Sequence, residues 1–84
     1  MYLVYQLNTD TDSGEVFGMP VGYTADESIN QLTARAQSID LADLVYNTEA
    51  NTDERIGDYT IKATGTHPDG YQVELFLQPL AQLD

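Results

Sequence analysis

The chain has 84 residues, with 14 Asp and Glu against 3 Lys and Arg, so its formal net charge is −11. A chain of this length is expected to form one domain over residues 1–84. The absence of Cys excludes disulfides and thiolate metal sites. The scarcity of Lys and Arg argues against direct binding of nucleic acid or of an anionic membrane, because both require cationic side chains.

The N-terminal segment has neither a basic region nor a small-residue cleavage site, so no signal peptide is expected. No apolar run approaches the roughly 20 residues that span a bilayer. These features predict a cytoplasmic protein without a membrane partner.

The first predicted element is a β-hairpin over residues 2–23. Residues 2–8 alternate as a strand does, and both faces carry apolar side chains, which predicts burial on both sides. Residues 16–23 form the second strand, and Pro20 predicts an edge position for it. A three-residue loop over residues 12–14, with Gly14 left-handed, then sets the register. The facing pairs are Leu7 with Met19, Tyr5 with Val21, and Leu3 with Tyr23.

A helix over residues 25–38 follows. Thr24 and Glu27 have the spacing of a capping box. Apolar residues then recur every three or four positions and form one stripe, Ala25, Ile29, Leu32, Ala36 and Ile39. Residues 40–47 are ambiguous. We favour a helical turn that leads into an extended segment, and a short strand is the alternative.

The second half of the chain is predicted as an acidic loop over residues 47–58 and a hairpin over residues 58–78. Pro68 suits the second position of a turn and Gly70 the left-handed position. This turn places Lys62 diagonal to Glu74. It also pairs Gly65 with Val73, Ala63 with Leu75, Ile61 with Leu77, and Lys62 with Phe76. Leu80 and Leu83 are left for a last contact.

The predicted order is therefore β-β-α-(short element)-β-β. One α-helix can cover one face of the sheet that the two β-hairpins form. The sequence predicts an α+β fold of two layers, with an antiparallel sheet of four to five strands under one α-helix.

No catalytic or metal-binding pattern is complete in the sequence. Residues 10–15 resemble the start of a calcium loop, but the match fails after two ligands because Gly14 holds the fifth position. His67 is the only imidazole and has no partner at catalytic or metal-ligand spacing. We therefore predict no enzyme, no metal site and no cofactor. A paired-carboxylate enzyme or a weak calcium site is the least favoured alternative.

The acidic residues form three clusters, at the first hairpin tip, around the helix and in the long loop. Tyr2, Tyr46 and Tyr71 lie outside the predicted core faces, whereas Tyr5, Tyr23 and Tyr59 lie within them. Tyr is favoured at protein interfaces because it is large, stiff and amphipathic. The predicted protein-binding residues are Asp10, Asp12, Glu15, Tyr46, Glu49, Asp53, Glu54 and Asp58.

These features favour a non-enzymatic module that binds a basic partner protein of unknown identity. Spaced carboxylates on a rigid frame can occupy a groove that normally holds nucleic acid. In size and charge alone, the chain resembles phage-encoded inhibitors of nucleases. The alternative is an accessory domain whose acidic surface serves solubility or adaptation to salt.

Overall fold

The structure, a computed structural model, describes residues 1–80. The elements are β1 (Tyr2–Asp10), β2 (Val16–Thr24), α1 (Ile29–Ser38), β3 (Ala42–Asn47), β4 (Asn51–Asp53), β5 (Gly57–Tyr59), β6 (Ile61–Thr66) and β7 (Tyr71–Pro79). Five strands form one antiparallel sheet in the order β2-β1-β7-β6-β3, and two short strands form a separate hairpin, β4-β5. Helix α1 packs on one face of the large sheet, over β6 and β7, so the predicted α+β fold is confirmed.

The hairpin of β6 and β7 has the predicted register throughout, including Lys62 opposite Phe76. The N–H of His67 donates to the carbonyl of Tyr71 at 2.8 Å, and Gly70 takes a φ of +93°. Strand β6 begins at 61 rather than at the predicted 58, because residues 57–59 belong to β5. The alternating residues that face α1 are buried: Ile61, Ala63, Val73, Leu75 and Leu77. Leu80 is partly exposed, and the prediction for Leu83 lies outside the described residues.

Strand β1 has buried side chains on both faces, as the apolar residues on each face predict. Val4 and Gln6 lie on the face toward α1, while Leu7 packs on the opposite face. The Gln6 side chain accepts from Arg35 Nε at 2.8 Å and donates to Asn8 Oδ1 at 2.8 Å. Its polar atoms are therefore satisfied, which makes its burial tolerable.

The predicted register of β1 and β2 is wrong over most of its length. Only Leu3 with Tyr23 is paired as predicted, and Tyr23 is 68% exposed rather than in the core. A β-bulge at Val21 gives β2 one extra residue, which moves the remaining pairs by one position. Tyr5 lies opposite Pro20 and Leu7 opposite Gly18.

The loop between β1 and β2 is one residue longer than predicted. The N–H of Asp10 donates to the carbonyl of Glu15 at 2.8 Å, so the loop spans residues 11–14. Gly14 is left-handed, as predicted, with a φ of +76°. Strand β2 lies at an edge of the sheet, where Pro20 was expected to place it.

Helix α1 begins four residues later than the predicted residue 25. Thr24 is the last residue of β2 and pairs with Tyr2, so its backbone belongs to the sheet. The Glu27 carboxylate accepts a hydrogen bond from the Tyr2 hydroxyl at 3.0 Å instead of closing a capping box. Ser28 caps the helix, and its hydroxyl accepts from the N–H of Asn30 at 3.1 Å. Leu32 and Ala36 of the predicted stripe are fully buried, whereas Ala25 precedes the helix and is exposed.

Residues 42–47 form strand β3, so the favoured helical turn over the start of this segment is wrong. The N–H of Leu41 donates to the carbonyl of Ala36 at 3.0 Å, and that of Asp40 to Gln37 at 3.3 Å. These two bonds form a Schellman motif, which ends α1 at this point. The chain then turns back and pairs with β6. Gly65 allows the backbone of β3 to lie close to β6, because a Cβ at this position would lie 3.0 Å from the Ala42 carbonyl oxygen.

Part of the predicted loop over residues 47–58 is the hairpin β4-β5, which covers the sheet face opposite α1. Tyr59 packs edge-on against Phe76, with ring centroids 5.1 Å apart. The Gln78 amide donates to the carbonyl of Ile56 at 2.7 Å. The hairpin therefore adds a third layer over Phe76, beyond the two layers that the sequence predicts.

Candidate functional site

Three chain segments lie at one end of the large sheet, and each places carboxylates there. Asp10 pairs with Tyr71, and Ala42 pairs with Thr66. The β1-β2 loop, the β6-β7 turn and the start of β3 are therefore neighbours at that end. The group is termed the acidic end and consists of Asp10, Asp12, Glu15, Asp40, Asp43 and Asp69.

The β1-β2 loop holds its carboxylates on an ordered frame. Asp10 Oδ1 accepts from the N–H of Asp12 at 2.8 Å and from that of Ser13 at 3.3 Å. The Thr11 hydroxyl donates to the carbonyl of Gly70 at 2.8 Å, which ties the loop to the β6-β7 turn. Asp12 and Glu15 are exposed at the tip of this frame.

The β6-β7 turn adds Asp69, which is also exposed. The N–H of Asp69 donates to His67 Nδ1 at 3.0 Å, so this nitrogen acts as an acceptor. The carboxylate Oδ2 is 3.7 Å from the same nitrogen.

The two remaining carboxylates of the acidic end stand on unfavourable backbone. Asp40 and Asp43 both have a φ of 56° and are the only non-glycine residues with positive φ in residues 1–80. Left-handed backbone favours Gly, although Asp and Asn tolerate it better than other residues. Asp40 also lies at the C-terminal, negative end of the α1 dipole, where a carboxylate is disfavoured.

The cationic side chains are engaged on the body of the sheet instead. Arg55 Nη2 lies 2.7 Å from Asp53 and 2.9 Å from Glu74, and Lys62 lies 2.9 Å from Glu74. Arg35 bonds to Gln6. Within residues 1–80, no ion pair joins any of these cations to the acidic end.

Arg55 contacts the carboxyl groups of Asp53 and Glu74 and changes the pKa of both. Hydrogen bonds from Arg55 lower the pKa of Asp53 to about 2, against a smaller opposing effect of burial. Burial raises the pKa of Glu74, but hydrogen bonds from Arg55 and Lys62 outweigh it, so that pKa lies below its ordinary value. Asp53, a predicted binding residue, is thus already engaged in an ion pair with Arg55.

The structure does not bring the eight predicted binding residues together. Asp10, Asp12 and Glu15 belong to the acidic end. Tyr46 lies on the α1 face, half-buried against the core, with its hydroxyl 2.7 Å from Thr33 Oγ1. The prediction that Tyr46 lies outside the core is therefore wrong. The same prediction is wrong for Tyr2 and Tyr71, which also pack against the core. The other four lie in and beside the β4-β5 hairpin: Glu49, Asp53, Glu54 and Asp58.

Sequence reasoning missed half of the acidic end and the exposed aromatic residues. Asp40, Asp43 and Asp69 reach the other three only through the pairing of β1 with β7 and of β3 with β6. The turn register already placed Asp69 at a hairpin tip, which was the available signal. The exposed aromatics are Phe17 and Tyr23 in β2.

Comparison with protein-family models, with curated proteins and with solved structures finds no match for this chain. Within residues 1–80, no helix is long and apolar enough to cross a membrane. No pocket opens on the described surface. No three acidic or imidazole side chains of this part of the chain converge closely enough to hold a metal ion. The fold and the surface thus define a small α+β protein with spaced carboxylates at one end of its sheet.

Proposed function

We propose that the protein is a non-enzymatic acidic module that acts in the cytoplasm and inserts its acidic end into a basic groove of a partner protein. One observation carries this proposal: six carboxylates share one end of the sheet, and no ion pair with a Lys or Arg of residues 1–80 neutralises them. A Lys- and Arg-lined groove is the complementary surface.

The density of charge supports a groove that normally holds a single nucleic-acid strand. The structure extends 44 Å along its longest axis, and residues 1–80 carry a net charge of −10, because Asp84 lies outside them, which is one charge per about 4.4 Å. One strand of a duplex carries a charge about every 3.4 Å, and both strands together one about every 1.7 Å. The protein therefore approaches the charge density of one strand and has less than half that of a duplex.

The backbone at the acidic end supports a role for its carboxylates beyond solubility. Asp40 and Asp43 occupy left-handed positions where Gly is the more stable residue. A solubilising charge can stand at any exposed position, whereas a recognition charge must stand where the partner meets it. Residues that lower stability at a functional surface are a common compromise in proteins.

The experiment uses two variants with the same net charge of −8. The acidic-end variant carries Asp10→Asn, Asp12→Asn and Glu15→Gln, and the control carries Asp26→Asn, Glu27→Gln and Asp84→Asn, which belong neither to the acidic end nor to the predicted binding residues. Wild-type protein is used to capture partners from a lysate of the cells that make it, at 0.05 M salt. The captured basic protein is purified, and its Kd for each form is measured with and without a single-stranded 20-mer oligonucleotide.

The expected result is a Kd at least tenfold higher for the acidic-end variant and less than threefold higher for the control. The oligonucleotide is expected to compete with the wild-type protein for the partner. Equal Kd values for the two variants would contradict the proposal. A failure to capture any basic protein, together with a melting temperature that rises steeply up to 2 M KCl, would favour the salt-adaptation alternative instead.

A further inference from the structure

Strand β2 is an apolar strand at an edge of the sheet, and within residues 1–80 no strand pairs with its outer side. It contains no charged residue, although edge strands are commonly protected by charged side chains, Lys above all. Of the nine large apolar side chains exposed in residues 1–80, five belong to β2, and they are 36–68% exposed: Val16, Phe17, Met19, Val21 and Tyr23.

The first half of β2 has backbone groups that point away from the sheet. Because the N–H of Asp10 donates to Glu15, Thr9 and Val16 form a pair that does not exchange hydrogen bonds. Such pairs alternate along an antiparallel ladder, so Gly18 and Pro20 also occupy them. The N–H and C=O groups of Val16 and Gly18, and the C=O of Pro20, therefore face solvent. Pro20 has no N–H, but an N–H at this position would point away from β1. The ladder between β1 and β2 therefore loses no hydrogen bond at Pro20.

The bulge at Val21 limits this free edge to residues 16–20, because a bulge interrupts the regular ladder. Phe17 lies opposite Asn8 and Met19 opposite Gln6, so both side chains lie on the sheet face that carries α1. On the other face the Tyr5 side chain lies over Gly18, where a Cβ would collide with the Tyr5 hydroxyl. The edge thus has apolar side chains above and below its free backbone groups.

We infer that residues 16–20 of β2 accept an extended segment of the basic partner as an added strand. The segment's backbone pairs with Val16, Gly18 and the Pro20 carbonyl, and its apolar side chains lie on Phe17 and Met19. Strand addition of this kind takes affinity from the backbone and specificity from alternate side chains. The inference rests on the proposed function in one respect, which is that the partner protein is basic.

Charge complementarity selects this occupant. Glu15 directly precedes Val16, and Asp12 lies in the same loop, so the free edge starts at the acidic end. A strand advances about 3.3 Å per residue, so a Lys or Arg one or two residues beyond the paired stretch reaches these carboxylates. A second copy of this chain would bring two molecules of net charge −11 together, and their repulsion disfavours it.

The probe is a synthetic nine-residue peptide with alternating valine and threonine at its five central positions and two lysines at each end. A fluorescent label reports binding to the full chain by anisotropy at 0.05 M salt. Two control peptides carry glutamate in place of lysine, or N-methyl groups at alternate backbone positions. The protein variants are Val16→Pro, which removes a free N–H, Phe17→Ser, which removes an apolar contact, and Tyr23→Ser, which is the control beyond the bulge.

The expected result is saturable binding that weakens at least tenfold in Val16→Pro and in Phe17→Ser and less than threefold in Tyr23→Ser. Neither control peptide is expected to bind measurably. Thermal melting of each variant verifies that it is folded. If either Val16→Pro or Phe17→Ser does not fold, the other variant alone tests the inference.

Equal binding to all folded variants, or no binding of the lysine peptide, would overturn the inference. Sedimentation that detects a dimer lost in Val16→Pro would overturn it in favour of a second copy. These outcomes leave the proposed function standing, because a basic partner can bind the acidic end whether or not it also adds a strand to β2. Loss of partner capture alone would instead refute the proposed function.

Discussion

Asp40→Gly is expected to stabilise the protein by about 1 kcal/mol. Asp40 holds a φ of 56° after the last turn of α1, and left-handed backbone costs about 1–2 kcal/mol for most residues other than Gly. The carboxylate also faces the negative end of the helix dipole, at a cost of about 0.3–1 kcal/mol. The greater freedom of Gly in the unfolded chain offsets about 0.5–1 kcal/mol of this gain.

Thermal and urea unfolding at 0.15 M and 1 M NaCl measure the effect. A gain of 1 kcal/mol corresponds to a rise of about 4–8 °C in Tm for a domain of this size. Asp40→Asn is the matched control, since it removes the charge and keeps a side chain that tolerates this backbone. Its smaller gain should decline at 1 M NaCl, where charges are screened within about 3 Å, while the gain of Asp40→Gly largely persists. An Asp40→Gly variant no more stable than wild type at both salt concentrations would refute this reasoning.

Three further changes test the contacts that hold β3 and the β4-β5 hairpin against the large sheet. Arg55→Gln should destabilise the protein at pH 7, because it removes the ion pairs with Asp53 and Glu74. The loss should be only about 0.5–1 kcal/mol, because solvent screens the partly exposed guanidinium. Arg55 holds the pKa of Asp53 at about 2, below its ordinary 3.8, so the stabilisation is complete above about pH 4 and disappears as the pH falls to about 2. Urea unfolding of both forms across that pH range checks this, and a constant difference would contradict it. Gly65→Ala should cost about 1–3 kcal/mol in urea unfolding, because its Cβ meets the β3 backbone. Phe76→Leu should cost about 1–2 kcal/mol by the same assay through loss of its contact with Tyr59, and an unchanged unfolding midpoint would contradict the packing described.

The elements that were predictable from sequence are those whose geometry is set locally. Pro68 and Gly70 fix the β6-β7 turn, and the turn fixes every pair in that hairpin. The apolar stripe of α1 likewise placed Leu32 and Ala36 in the core. Local turn chemistry and periodicity were sufficient in both cases.

The elements that were mispredicted depend on distant contacts. Thr24 does not cap the helix because it pairs with Tyr2, which is far away in sequence. The β4-β5 hairpin is held by Arg55, which bonds to Glu74 across 19 positions. A segment that reads as an irregular loop by its own composition becomes ordered once the sheet supplies these contacts.

The candidate site divides in the same way. The carboxylates of the first hairpin tip were predictable, because turn residues there point to solvent. Their grouping with Asp40, Asp43 and Asp69 requires the strand order β1-β7-β6-β3, and no local pattern specifies that order. Tyr46 was misassigned because the sequence did not place the extended segment around it in the sheet, with Tyr46 on the face that carries α1.

The salt dependence of partner binding tests the central claim most directly. The slope of log Kd against log salt concentration is measured between 0.05 M and 0.5 M for the captured partner, with the acidic-end variant and with its equally charged control. Each lost charge contact should make the slope shallower, because salt then screens fewer favourable charge interactions across the interface. We expect a shallower slope for the acidic-end variant and a nearly unchanged slope for the control. Equal slopes for the two variants would mean that the acidic end does not contact the partner.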